Sequence, residues 1–109
     1  MRVQNVHPLF TSFTSTFVSR HRAKTLTKLV GGTVLAGDEL RAYTDAKGHV
    51  AQVLLVHREG TGAIQFSPGG EFLWGTLIEA AGHEFLIGDC DPYVVVRLSD
   101  LGYYTSPLH

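Results

Sequence analysis

From Gly31 onward, apolar and polar residues alternate with period two between short glycine-containing turns, the pattern of strands with one face in a core. Thr33–Ala36 and Glu39–Thr44 read as extended, with Gly37-Asp38 as a turn or bulge between them. Asp45-Ala46-Lys47-Gly48 suits a hairpin loop. His49–Arg58 follows and is apolar on both faces over Val53–Val56, as a covered central strand must be. Beyond the turn Glu59–Gly62 come Ala63–Phe66, then Pro68-Gly69-Gly70, Glu71–Glu79, a hairpin at Ala80–His83, and Glu84–Gly88. Asp89–Pro92 turns the chain into Tyr93–Leu98, where Val94, Val96 and Leu98 share a face. Leu73–Ala81 also carries some helical spacing, but Gly75, Thr76 and Ile78 favour a strand.

About six strands joined by loops of roughly four residues are most simply arranged as consecutive antiparallel neighbours. The expected fold is α+β and mainly β: an antiparallel meander forming a small barrel or a strongly bent sheet, either of which hides strand edges. Glycine divides the chain, since none of the twelve precedes Gly31. Residues 31–109 are read as the β-meander and residues 1–30 as an arm of the same domain.

In the arm, Phe10, Phe13 and Phe17 recur at helical spacing, and Pro8 suits a first helical turn. The eight Ser and Thr between Thr11 and Thr27 oppose helicity. On one continuous helix the Phe stripe runs on into Arg20, Lys24 and Lys28, so a break near Val18–His21 is an alternative. The expectation is a helical arm whose aromatic half docks and whose basic half projects.

Composition adds bounds. A chain of 109 residues with 44% hydrophobic content holds one core without staples. A single cysteine, Cys90, excludes an internal disulfide and points to a reducing compartment, read as the cytoplasm. No apolar stretch nears the ~18 residues of a membrane helix, so no membrane partner is expected. The Ser/Thr-rich, acid-free N-terminus also has the look of an organelle transit peptide.

Charge changes the picture most. No acidic residue precedes Asp38, and Arg2, Arg20, Arg22, Lys24 and Lys28 make that segment +5. Beyond it, Arg41, Lys47, Arg58 and Arg97 face ten carboxylates, a net −6 hidden in the total of −1. Cations at helical spacing can meet successive phosphates. The leading expectation is therefore a non-enzymatic nucleic-acid-binding module. Its contacts are Arg20, Arg22, Lys24 and Lys28, with Tyr103 and Tyr104 as stacking surface. The alternative is an interaction or assembly module docking a protein partner, or another copy, through Phe10, Phe13 and Phe17. A third reading is a small hydrolase or lyase using His57 or His83 with a nearby carboxylate.

Other chemistry finds little support. His83-Glu84 lacks the second histidine of a zinc-protease helix, and Gly60-Thr61-Gly62 lacks the lysine of a P-loop. Carboxylates on both sides of Cys90 would raise its pKa, the wrong direction for a nucleophile. No catalytic residue, metal or cofactor is assigned.

Overall fold

The computed structural model describes residues 1–6, 12–90 and 93–103. Its strands are β1 (Arg2–Asn5), β2 (Ser12–Phe17), β3 (Glu39–Thr44), β4 (Val50–Val56), β5 (Gly62–Phe66), β6 (Phe72–Ala80) and β7 (His83–Cys90). One helix, α1 (Arg20–Val30), follows β2, and a short 3-10 helix spans Leu98–Leu101. All seven strands form one antiparallel sheet in the order β1-β7-β6-β5-β4-β3-β2.

The meander from β3 to β7 is the one the alternation predicts. Asp45 organises its first hairpin: its Oδ1 accepts the N–H of Lys47 at 2.9 Å and of His49 at 3.0 Å, while Gly48 takes φ 84°. Val53, Leu54 and Leu55 are wholly buried, because β4 is covered on both faces. On one face Leu40, Ala42, Val53, Leu55, Ile64 and Phe66 pack against Ala23, Leu26 and Val30 of α1 and against Val96, Leu98 and Leu101. On the other, Val6, Tyr43, Leu54, Ala63, Leu73 and Leu86 form a smaller cluster.

Three expectations need correction. The sheet is not a closed barrel: β1 and β2 are its two edges, unpaired with each other among the described residues. It is nevertheless strongly bent. Arg41 on β3 and Glu84 on β7 stand four positions apart in the strand order, which in a flat sheet is about 19 Å. Their side chains approach to 3.5 Å across the inner face.

Second, the arm is not helical through its aromatic half. It forms β1 and β2, because Phe13 and Phe17 alternate with Ser and Thr, residues that favour a half-exposed strand over a helix. The helix starts only where Ser19 caps it, its Oγ accepting the Arg22 N–H at 3.2 Å. It ends where Gly31, at φ 69°, returns its N–H to the Thr27 carbonyl. Third, Thr33–Ala36 and Tyr93–Leu98 are not strands. Val34 is held instead by Thr27, whose Oγ1 accepts its N–H at 2.9 Å. The later segment reaches the sheet through the Val96 N–H on the Gly70 carbonyl at 2.9 Å, and packs Val96 and Leu98 into the core.

Candidate functional site

The sequence of α1 sorts itself by face. Ala23, Leu26 and Val30 are buried, and at 100° per residue Arg20, Lys24 and Lys28 share a separate stripe, exposed. They form a row with steps of about 6 Å. Among the described residues none of the three has a carboxylate within ion-pair distance. The cations of the sheet differ: Arg41 lies 2.7 Å from Glu39, Arg58 3.6 Å from Glu59, and Arg2 4.0 Å from Glu71. Arg22 leaves the row. Its guanidinium donates to the Leu101 carbonyl and ties α1 to the C-terminal 3-10 helix. His21 is exposed beside the row, and no acid occupies the first turn.

The other expected contacts are scattered. Tyr103 is half-buried against the main core. Phe13 and Phe17 share one face of the edge strand β2, 46% and 70% exposed. Phe13 lies against the Tyr43 ring, with centroids 5.1 Å apart, and beneath the Arg41 guanidinium. Phe10 and Tyr104 fall outside the described residues.

A second constellation gives His57 a carboxylate neighbour, Asp38, that the sequence did not indicate. Asp38, with no exposed surface, accepts the Arg58 N–H on Oδ1 at 2.9 Å and the Leu35 N–H on Oδ2 at 3.0 Å. Its Oδ2 also stands 3.1 Å from Nδ1 of His57. Burial pushes this carboxyl up, but the two backbone donors and the His57 ring outweigh it and hold the group below the usual carboxylate range. An ionised carboxylate only accepts, so Nδ1 carries the hydrogen and Nε2 is left to face other partners.

His57 lines a cavity of about 380 Å³ walled by Val30, Ile64, Phe72 and Trp74, with Gly31, Gly32 and Thr33 forming one lip. Buried acid, fixed imidazole and apolar walls are the ingredients of a binding pocket. The register of the β3–β4 hairpin accounts for the pair. Glu39 faces Val56, which puts Asp38 opposite His57.

The sign of the Asp38 shift fixes a pH dependence. A carboxyl whose folded value lies below its unfolded one stabilises the fold above the unfolded value of ~3.9. That stability is lost as pH falls through the folded value. Thermal melts between about pH 7 and pH 3 are expected to show this loss. In Asp38→Asn the acid-side slope is expected to flatten, with stability at neutral pH lower by about 1–2 kcal/mol.

The remaining histidines stand apart. His49 is 3.9 Å from Asp45 at a hairpin, and His83 is exposed at the β6–β7 turn near Phe85. Among the described residues no group of three His, Cys, Asp or Glu is placed to hold a metal ion, and no helix is long and apolar enough to cross a membrane. Comparison with protein-family models, with curated proteins and with solved structures found no match to this chain.

Proposed function

We propose that this protein binds nucleic acid through the outer row of α1, contacting backbone phosphates rather than bases. The observation that carries the reading is the row itself. Arg20, Lys24 and Lys28 are exposed on one stripe of α1 and have no carboxylate partner among the described residues, whereas Arg2, Arg41 and Arg58 are each paired; Lys47 and Arg97, which also lack one there, do not lie on the helix. A second feature supports it. Arg20, His21 and Arg22 crowd the first turn, at the positive end of the helix dipole, without an acid to offset them. That arrangement costs stability in the free protein, and an anion docked there relieves it.

Charge reversal at Arg20 separates the two consequences. In Arg20→Glu the helix start is expected to gain about 0.3–1 kcal/mol by denaturant unfolding, because the new acid suits the dipole. Binding of a labelled oligonucleotide is expected to weaken about tenfold at low salt. Stability up with binding intact would remove the proposal.

A second reading rests on β2. Its sequence, Ser12–Phe17, is uncharged and lies at a sheet edge with Phe17 exposed, and strand edges of this kind pair with other chains. If the protein binds no oligonucleotide and instead sediments as a dimer that Phe17→Lys dissociates, this reading replaces the first.

A further inference from the structure

The cavity beside His57 lies at the opposite end of α1 from Arg20, where Lys28 is the one basic residue of the last turn. Its lip is the C-terminal turn of the helix and the residues just after it, Val30 to Thr33. The carbonyls there carry the negative end of the helix dipole. Behind the wall sits the buried carboxylate of Asp38, 3.1 Å from the His57 ring. With Nδ1 donating to Asp38, the His57 ring joins that carboxylate to the cavity wall. Among the described residues no Lys or Arg lines the cavity. The walls are apolar, and Trp74 is 49% exposed at the mouth, an indole available to a ligand.

We propose that this cavity binds a small organic cation, an ammonium group carried on an aromatic or branched aliphatic body. Ile64, Phe72 and Trp74 would take the apolar body. The ammonium would donate to the carbonyl end of α1, near the buried Asp38 carboxylate, with the Trp74 ring adding attraction for the charge. A carboxylate or phosphate would meet the negative helix end and find no positive side chain in the wall. This site does not depend on the nucleic-acid row, so either can fail without the other.

Three probes of one size but different charge decide the matter: phenethylammonium, 2-phenylethanol and 3-phenylpropionate, titrated into isotope-labelled full-length protein at about pH 8. The ammonium is expected to shift the amides of Gly32 and Gly75 and the Trp74 indole N–H in a saturable way. The alcohol should bind about tenfold more weakly and the carboxylate more weakly still. In Trp74→Leu, whose amide spectrum reports that the fold survives, affinity for the ammonium is expected to drop about tenfold. The proposal is overturned if those signals do not saturate below about 10 mM ammonium. It is also overturned if the alcohol or carboxylate binds as tightly, or if Trp74→Leu changes nothing.

Discussion

Replacing Arg20, Lys24 and Lys28 together by alanine is expected to reduce nucleic-acid affinity by about two orders of magnitude at low salt while leaving the fold intact. The three side chains are exposed on a stripe of α1 separate from Ala23, Leu26 and Val30, so their removal opens no cavity. Alanine is also the better helix former, and helicity is expected to be kept or raised. The loss is electrostatic, and it has a second signature. Three phosphate contacts imply a slope of about −2 to −3 in log affinity against log salt, or roughly a 16–64-fold loss for a fourfold rise in salt. The triple variant should show a nearly flat line. Filter binding or fluorescence anisotropy at two salt concentrations reads both quantities.

The largest effect on stability is expected at the crossing of β6 and β7, where Gly75 faces Gly88 directly. A Cβ on Gly75 would lie 2.0 Å from the Ile87 carbonyl oxygen, and one on Gly88 would lie 2.0 Å from the Trp74 carbonyl oxygen. Both obstacles are backbone, which cannot rotate aside as a side chain does. The paired glycines let the two strands of this bent sheet close up on each other. Gly75→Ala should therefore cost about 3 kcal/mol, lowering the melting temperature by roughly 10–20 °C. Gly32→Ala is the control: its added Cβ meets nothing within 4 Å, so a change within about 1 kcal/mol is expected. Equal melting temperatures for the two variants would show that the sheet does not need the glycine pair.

Much of the meander was legible because strands leave a period-two trace and glycine marks their turns. The arm was misread for a specific reason. Residues four apart, such as Phe13 and Phe17, share a face on a helix and also on a strand, so that spacing cannot separate the two. The Ser and Thr between them held the discriminating information, and Ser19 marked the true start of the helix. Once α1 begins at Arg20, the placement of its cations follows from the positions of Ala23, Leu26 and Val30. Helical spacing already takes Arg22 off the row, but its partner, the Leu101 carbonyl, is 79 residues away and could not be read from sequence.

The Asp38–His57 pair was hidden by a single residue. The register shifts by one between Tyr43 and Thr44, and this bulge moves Asp38 opposite His57 rather than Val56. Hairpin arithmetic without the bulge puts the wrong neighbour there. Edge strand β1 was equally out of reach, because pairing Arg2–Asn5 with β7 joins opposite ends of the chain.

The account stands on the availability of the α1 cations to an outside anion, and amide chemical shifts report this directly. With a short oligonucleotide added at low salt, the account predicts perturbations concentrated on α1 around Arg20, Lys24 and Lys28, which disappear when salt is raised about fourfold. Perturbations elsewhere on the sheet, or none at any salt concentration, would contradict it.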